Sequence, residues 1–354
     1  MAVLEQTDVA VYEQVVVLLS CALSALGSVL VVSTYALWPD LRTTPRQLLL
    51  FLSVADFLSA VSYSYGVYKV FNASTWDCVT QGAVSTFSNT SSFFWTVAIA
   101  VYLYIFIVQS SQRQADSLVL YFHLIRQEGE NVRPTNLFLS LSLSWGVPLA
   151  ITVAAVSLQK IGYDASEVSV GWCWISIEED DHVLWMLLTG KIWELLAYVI
   201  LPLLYILIKR HIHKAHAALS EYRPILACNR LSHSIPAMAD RKLTLIPIIF
   251  IALRIWSTVR FVLLLARSPV GQNPVLVTLH GIGNTFQGAA NCIMFVLCTR
   301  PVRARLVAWL CCRSHEALSN SDMQSQFTAR TRSLSHSDGR SGSQTEVDES
   351  EDEE

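Results

Sequence analysis

Seven long apolar stretches, separated by short polar segments, dominate the pattern along the chain. Each reaches the roughly 20 residues that a helix needs to cross the apolar core of a membrane. Because a backbone in contact with lipid must satisfy its own hydrogen bonds, these stretches are predicted to be helices. The predicted fold is an all-α membrane protein, a bundle of seven transmembrane helices. We number them helix 1 to helix 7, at 15–37, 47–71, 79–108, 137–158, 184–208, 243–266 and 274–298.

The start of helix 4 has two alternatives, because another apolar segment, 118–125, precedes it in an unusually long loop. Pro134 suits the entry of a helix. Helix 4 is therefore predicted to start at Leu137, and 118–125 is predicted to lie at the membrane interface. Prolines also fall inside helices 4, 5 and 6, where they predict kinks, at Pro148, Pro202 and Pro247.

Composition supports the membrane assignment. Of 354 residues, 53% are hydrophobic and only 15% are charged, whereas a soluble domain carries roughly a quarter of charged residues. Membrane lipid is therefore the expected surrounding of the chain, and nucleic acid is not an expected partner.

Lysine and arginine are distributed unequally between the two sets of loops. Residues 1–14 contain neither, whereas the loops after helices 1, 3 and 5 and the segment after helix 7 are rich in arginine. Because positively charged loops stay on the cytoplasmic side, the N-terminus is predicted outside and the C-terminus inside, in a multi-pass protein of the plasma membrane. The chain would then comprise a short extracellular N-terminus (1–14), a transmembrane domain (15–298), an amphipathic juxtamembrane helix (299–312) and a disordered cytoplasmic tail (313–354).

Two cysteines are predicted to face the outside. The sequence VGWCWIS, at 170–176, sets Cys173 between two tryptophans in the outer loop between helices 4 and 5, and Cys78 lies at the start of helix 3. Accessible thiols in an oxidising environment pair, so a Cys78–Cys173 disulfide is predicted, with two free thiols as the alternative. The first outer loop also carries Asn72, in a glycosylation sequon.

The segment after helix 7, TRPVRARLVAWLCC, places apolar residues at helical spacing among arginines. This pattern predicts a helix that lies along the inner leaflet. Cys311 and Cys312 are candidate palmitoylation sites, with unmodified thiols as the alternative. In the serine-rich tail, Ser335 and Ser350 are candidate phosphorylation sites that an arrestin-type partner could read, and a tail that only adds solubility is the alternative.

Charged side chains also lie inside the predicted helices, where they are costly and mark function. Lys191 and Glu194 share a face of helix 5, and helix 6 carries Arg254 and Arg260. An ion pair between Glu194 and either arginine, holding helices 5 and 6 together, is the structural alternative. By depth, we expect a cavity open to the outside and lined by Tyr63, Tyr65, Trp172, Lys191, Glu194, Arg260 and His280. A further set is predicted to act as intramembrane polar or switch residues: Asp56, Arg254, Gln287, Gly288 and Asn291.

The sequence lacks residues that several classes of membrane protein require for their function. Retinal proteins of known families carry a Schiff-base lysine in the last helix, and 274–298 contains no lysine. The histidine cluster HIHKAH, at 211–216, lies in a basic segment and indicates a solvated helix end rather than a metal site. No nucleophile elbow is present. We therefore predict no catalytic residue, metal or cofactor, and do not expect an enzyme.

Three motifs resemble one family of membrane proteins. The SWGVP sequence of helix 4, at 144–148, is similar to the Trp-Gly-x-Pro of secretin-like and adhesion-like G-protein-coupled receptors. GWCWI, at 171–175, is similar to the Cys-Trp of their second outer loop, and Phe286-Gln287-Gly288 is similar to their Phe-Gln-Gly. LSVADFLSA in helix 2 resembles both rhodopsin-like receptors and the cAMP receptors of slime moulds. The rhodopsin-like class is disfavoured, because helix 3 lacks Asp-Arg-Tyr and helix 7 lacks Asn-Pro-x-x-Tyr.

The resemblance implies a receptor that passes the signal of an unknown extracellular ligand, or a constitutive signal, to a heterotrimeric G protein and a second messenger. Movement of helices 6 and 7 would open a groove on the inner face for a helix of the G protein. A transporter or a non-signalling membrane protein is the rival class, but the sequence shows neither an inverted repeat nor a polar path across the membrane. Candidate G-protein contacts, with simple anchoring on the inner side as their alternative role, are Lys209, Arg210, Arg241 and Lys242.

Overall fold

In the part of the chain that it describes, the computed structural model is a helical bundle with one small hairpin. It describes residues 10–69, 71, 73–116, 133–164, 169–176, 180–221, 245–300, 302–309 and 311. Residues 10–298 belong to one compact unit, and residues from Thr299 onward belong to a second unit. In the first unit, the uninterrupted helices are helix 1 (Val11–Leu37), helix 2 (Thr44–Lys69), helix 3 (Trp76–Asp116), helix 4 (Arg133–Ser157) and helix 6 (Leu245–Leu265).

Helices 5 and 7 are each built from three parts. Helix 5 runs through His182–Met186, a π-helical turn at Leu187–Lys191, and Ile192–Glu221. Helix 7 runs through Pro274–Thr285, Gln287–Cys292 and a π-helical turn at Ile293–Leu297. Short 3-10 turns at Pro39–Leu41 and Pro269–Gln272 precede helices 2 and 7, and the hairpin pairs β1 (Ile161–Gly162) with β2 (Trp174–Ile175).

Seven apolar helical stretches correspond to the seven predicted spans. Five of the described helices, those numbered 1, 2, 3, 5 and 6, are long and apolar enough to cross a membrane. Helix 4 contributes a shorter apolar stretch at Ser142–Ser157 and helix 7 one at Gln287–Leu297. Helix 7 is shortened by its break at Phe286, which lies between two helical parts. The predicted all-α membrane bundle is confirmed.

The helix boundaries differ from the predicted ones by several residues. Helix 1 begins at Val11, four residues before the predicted start, because the Glu13 carboxylate accepts the backbone N–H of Ala10 at 2.9 Å and caps the first turn. Helix 4 begins at Arg133, which places Pro134 in its first turn, where proline costs no helical hydrogen bond. The apolar segment 118–125 lies outside the described residues.

Two of the three prolines lie inside helices of the structure as predicted, Pro148 in helix 4 and Pro202 in helix 5. Pro247 lies two residues after Leu245, where the described part of helix 6 begins. The residues just before Leu245 lie outside the described part of the chain, so a kink at Pro247 stays a prediction.

Helix 3 occupies the middle of the bundle, where it contacts helices 2, 4, 5 and 6 and both strands of the hairpin. Helix 1 packs against helix 2 and all three parts of helix 7. The two main parts of helix 5 contribute to different apolar clusters. Met186 packs with Phe261 and Ile175 near the hairpin, whereas Ala197 and Leu201 pack with Phe93 and Phe250 further along.

Helices 6 and 7 touch at a glycine. A Cβ on Gly283 would overlap the carbonyl oxygen of Leu253 and lie 3.1 Å from its carbonyl carbon. Since both obstructing atoms are backbone, one of the helices would have to shift. Replacing Gly283 by alanine is therefore expected to lower the free energy of unfolding by about 1–3 kcal/mol. Thermal unfolding of the purified protein in detergent measures this change.

Gly146 provides the matched control for this substitution. A Cβ there meets no heavy atom within 4 Å, so Gly146→Ala is expected to leave stability unchanged or to raise it by up to about 1 kcal/mol through helix propensity. Equal unfolding temperatures for the two alanine variants would show that helices 6 and 7 do not approach each other closely at this residue.

In the second unit, residues 302–309 form a helix. Arg303 and Arg305 are exposed, as is Cys311. Cys312 and the tail serines Ser335 and Ser350 lie outside the described residues, so the predictions made for them stay predictions.

Candidate functional site

The predicted disulfide is present and defines one end of the bundle. Cys78, in the first turn of helix 3, is bonded to Cys173 with their Cα atoms 5.5 Å apart. The hairpin places Ile161 opposite Ile175 and Gly162 opposite Trp174, so the loop between helices 4 and 5 folds back over this end. We call it the disulfide end, defined by Cys78, Cys173 and the β1–β2 hairpin. The prediction of this disulfide is confirmed.

Further bonds hold the loop in place. The side-chain oxygen of Gln81 accepts the backbone N–H of Cys173 at 2.8 Å, and the Ser74 hydroxyl accepts that of Tyr163 at 2.9 Å. Lys160 forms an ion pair with Asp181 at 2.8 Å. The ammonium group of Lys160 donates to the Asp181 carboxylate and holds the pKa of that carboxyl below its usual value.

Trp172 enters the bundle from this loop. It is 4% exposed and packs in a cluster with Val17, Tyr63 and Val277, which belong to helices 1, 2 and 7. Its ring centroid lies 4.5 Å from that of Tyr63 and 5.8 Å from that of His280. A loop residue therefore fills space between transmembrane helices.

A buried ion pair joins helices 5 and 6. Lys191 donates to Glu194 at 2.9 Å, and the two side chains are 4% and 3% exposed. Lys191 also donates to the Ser257 hydroxyl on helix 6. Glu194 accepts from Thr258 at 2.5 Å and from Tyr198 at 2.6 Å. The alternative in which Glu194 neutralises an arginine of helix 6 is not what the structure shows, because Lys191, one helical turn away, takes that role.

Arg254 joins helix 6 to helix 7 and to an aromatic pair. Its guanidinium donates to the side-chain oxygens of Asn284 at 3.1 Å and Gln287 at 3.4 Å. It also lies 5.1 Å from the ring centroid of Phe93 and 5.9 Å from that of Phe250. At 1% exposure, this cation gains part of its stabilisation from the aromatic faces.

Arg260 connects helix 6 to two loops and to helix 7. One guanidinium nitrogen donates to the carbonyl oxygen of Ser169 at 3.0 Å and lies 2.9 Å from Nδ1 of His280. Another donates to the carbonyl of Gly271 at 3.0 Å. Nε2 of His280 lies 2.8 Å from the side-chain amide of Asn284, which also binds Arg254. Helices 6 and 7 thus share one continuous polar chain from Arg260 to Arg254.

Two further polar contacts join helix 7 to helices 2 and 1. Asn291 donates to the Asp56 carboxylate of helix 2 at 2.8 Å. The backbone N–H of Gly288, which is one of the free donors after the break at Phe286, is accepted by the Ser24 hydroxyl of helix 1 at 2.9 Å. A side chain of helix 1 therefore caps the second part of helix 7.

A small cavity of about 30 Å³ lies beneath Trp172. That volume has room for about two water molecules. The Thr86 hydroxyl and the side-chain oxygen of Asn89, both on its wall, are buried and have no hydrogen-bond partner among the residues that the structure describes. The lining residues are Tyr63, Ser85, Thr86, Asn89, Ser169, Trp172, Trp174, Thr189, Gly190, Lys191, Glu194, Ser257, His280 and Asn284.

The structure brings most of the predicted cavity residues together. Five of the predicted residues line the cavity: Tyr63, Trp172, Lys191, Glu194 and His280. Arg260 of helix 6 is not in the lining, but its guanidinium binds the ring of His280. Trp172 and Trp174, from the loop between helices 4 and 5, form part of the cavity wall. The prediction that the cavity opens to the outside stays a prediction.

Tyr65 does not belong to this site. It is 42% exposed and packs at the edge of Phe71, with ring centroids 6.2 Å apart. Because successive helical residues are about 100° apart, a residue two positions after Tyr63 points roughly 200° away from it. Its inclusion was wrong, and helical periodicity alone would have removed it.

Sequence reasoning missed the polar wall contributed by helix 3. The run STFSNTSS, at 85–92, holds the hydroxyl and amide groups of Ser85, Thr86 and Asn89. Such a density of polar residues inside an otherwise apolar helix is itself a signal, since each polar group buried in a membrane needs a partner.

At the opposite end of the bundle, helix 5 presents exposed Lys209 and Arg210. Arg241 and Lys242 lie outside the described residues, as does the sequon residue Asn72. The roles predicted for these five residues therefore stay predictions.

Comparison with known proteins decides the family. No protein-family model matches the chain. It is 64% identical to G-protein coupled receptor 157 of Mus musculus over 308 residues, which cover 86% of this chain and 88% of that protein. It is 65% identical to G-protein coupled receptor 157 of Homo sapiens over 303 residues, 85% of this chain and 84% of that protein. The chain belongs to the G-protein coupled receptor 157 family.

The family resemblance read from the three motifs is thereby confirmed, and the transporter alternative is not favoured. A more distant similarity agrees with the motif in helix 2. The receptor is 23% identical to Cyclic AMP receptor-like protein A of Dictyostelium discoideum over 161 residues, 46% of this chain and 36% of that protein. The receptor is a multi-pass membrane protein, and its membership in this family supports a G protein as its kind of partner.

Proposed function

We propose that the receptor lies in the plasma membrane with its disulfide end outside and its C-terminus in the cytoplasm. A signal at the disulfide end changes the packing of helices 5, 6 and 7, and a heterotrimeric G protein reads that change at the opposite end. The distribution of arginine and lysine supports this orientation, and a disulfide is most stable in an oxidising compartment.

The observation that carries the proposal is the polar chain that crosses three helices beneath the loop. Lys191 and Glu194 on helix 5 bind Ser257 and Thr258 on helix 6. On the same helix, Arg254 binds Asn284 of helix 7. A buried charge in an apolar surrounding cannot be left without a partner. When one of these helices shifts, each charged side chain must therefore exchange its hydrogen bonds for another complete set. Elements with two discrete arrangements transmit signals in this way.

The proposal is tested by measuring nucleotide exchange on a panel of G-protein classes in membranes that contain the receptor. We expect exchange above that of membranes without receptor for at least one class. An epitope tag at the N-terminus should be accessible on intact cells, and one at the C-terminus only after permeabilisation. A C-terminal tag that reacts on intact cells would contradict the orientation.

The basic residues of the opposite end are proposed as G-protein contacts. Replacing Arg241 and Lys242 together by alanine, or Lys209 and Arg210 together, is expected to lower G-protein activation at an unchanged surface amount, because a positive rim attracts acidic and carbonyl groups of the partner. We expect a decrease of about threefold to tenfold per double variant, measured as nucleotide exchange.

Lys69 is the control for that experiment. It carries an exposed charge at the disulfide end, so Lys69→Ala should not change activation. Full activation by both double variants would leave these residues with a role in membrane anchoring alone.

Further modifications complete the proposal for the cytoplasmic and outer surfaces. Lipid attached to the exposed Cys311 would hold the segment after helix 7 at the membrane, and phosphates in the acidic tail would add charge for an arrestin-type partner. The residues proposed for glycosylation, palmitoylation and phosphorylation are Asn72, Cys311, Cys312, Ser335 and Ser350.

A further inference from the structure

We infer that the receptor carries its own ligand: the loop segment Ser169–Trp172 occupies the position of a ligand at the disulfide end and supports signalling without an added molecule. This inference rests on the proposed function, because it assigns the occupant of the same site.

The first support is the depth to which the segment is buried. Val170 is fully buried, Ser169 is 2% exposed and Trp172 is 4% exposed. Gly171 has a φ of 84°, a backbone conformation that side chains other than glycine rarely adopt. This turn allows the residues on both sides of it, Val170 and Trp172, to enter the same apolar cluster. A loop that only covered the bundle would not place two side chains within it.

The second support is the set of helices that the segment joins. Ser169 accepts a hydrogen bond from Arg260 of helix 6. Trp172 packs between Tyr63 of helix 2 and His280 of helix 7. Contacts with several helices at once, made by one aromatic group and one hydrogen-bond acceptor, are what a small ligand uses to favour one arrangement of a bundle.

The third support is how firmly the segment is held at both ends. The Asp164 carboxylate accepts the backbone N–H of Ser169 at 2.9 Å and its hydroxyl at 2.6 Å. At the other end, Cys173 is fixed by the disulfide and by its bond to Gln81. A tethered and ordered occupant binds without the entropy loss of a free ligand, so it fills the site at all times.

The space that remains agrees with this assignment. The cavity beneath the indole measures about 30 Å³, which two water molecules would fill. An organic molecule of more than a few atoms must therefore displace Trp172 to enter. A diffusible ligand of this receptor would match the segment in chemistry: an aromatic group of indole size with a carbonyl or carboxylate oxygen for Arg260.

The test removes the indole and supplies it again as a free molecule. Trp172→Ala is expected to lower ligand-independent nucleotide exchange about tenfold at equal surface amount, because truncated aromatic anchors cost this much or more. Indole added to this variant should restore at least half of the lost signal. Indole should not change the wild-type signal, since the site is already filled.

Trp76→Ala is the matched control, since Trp76 is 85% exposed at the same end of the bundle. It should signal like the wild type, with or without indole. Gly66→Ala displaces the indole without removing it, because a Cβ on Gly66 would lie 2.7 Å from the Cβ of Trp172. That variant should also lose signal, but indole should not restore it. If Trp172→Ala does not reach the cell surface, Gly66→Ala alone tests whether the segment Ser169–Trp172 supports signalling.

Several outcomes would overturn the inference. Wild-type or higher signalling by both Trp172→Ala and Gly66→Ala would show that the segment is not an activating occupant. A signal lost in Trp172→Ala and not restored by indole, at unchanged thermal stability, would reduce Trp172 to a packing role. A wild-type receptor that is silent alone yet responds to an added stimulus would overturn only this inference. Silence under every condition would also overturn the proposed function.

Discussion

Replacing Glu194 by glutamine is expected to cost the receptor about 3–5 kcal/mol of its free energy of unfolding. The substitution leaves the Lys191 ammonium group, whose side chain is 4% exposed, without its negative partner in an apolar surrounding. Lys191→Met should cost a similar amount, because it leaves the carboxylate uncompensated. Thermal unfolding of the purified receptor in detergent measures both changes.

The double variant Lys191→Met, Glu194→Gln separates a buried charge from a lost contact. With both charges removed it should be more stable than either single variant, since an apolar replacement of a buried pair is often nearly neutral. Lys69 and Asp77 provide the control pair, at 3.8 Å with side chains 51% and 57% exposed. Asp77→Asn should change stability by less than about 1 kcal/mol. Additive losses in the double variant would contradict the coupling of Lys191 and Glu194.

Replacing Cys173 by serine is the second change with a large expected effect. The disulfide closes a loop across 95 residues of sequence, and losing a native disulfide of this kind costs roughly 2–5 kcal/mol. It also releases one end of the segment that holds Trp172 in the bundle. We therefore expect a reduced surface amount and a lower unfolding temperature.

The same loss should follow from Cys78→Ser, and the double serine variant should lose no more than either one. Cys311→Ser serves as the control for the unfolding temperature, which it should not change, because Cys311 is an exposed, free thiol. A receptor without the bridge that keeps its unfolding temperature would show that the hairpin is held by its hydrogen bonds alone.

Two kinds of contact in the site could be predicted from the sequence: those set by the spacing of residues along a helix, and those between residues of a type that is rare in that part of the chain. Lys191 and Glu194 meet because residues three apart share a helix face. The pairing of Cys78 with Cys173 could be predicted because these are the two cysteines that the sequence places near the outer boundary. The same periodicity, applied to helix 2, excludes Tyr65 in favour of Tyr63.

Other contacts of the site could not be predicted, because no pattern of side chains in the sequence indicates them. Arg260 binds the backbone carbonyls of Ser169 and Gly271, and any residue type supplies a carbonyl. The insertion of Trp172 depends on the path of the loop, which the positive φ of Gly171 sets. Such contacts form between segments that are far apart in the sequence. Composition and local spacing therefore do not predict them.

The π-helical turn at Leu187–Lys191 has a consequence for how this receptor tolerates changes in length. The turn holds one residue more than an α-helical turn, and Thr90 of helix 3 donates to the carbonyl of Thr189 within it at 2.8 Å. Deleting a single residue there would restore α-helical geometry and rotate Met186 by about 100° relative to Leu201. Met186 and Leu201 could then not both pack in the apolar clusters that they occupy now. A gain or loss of one amino acid within Leu187–Gly190 would therefore reset the alignment of the two halves of helix 5, although Lys191 and Glu194 would both remain in the chain.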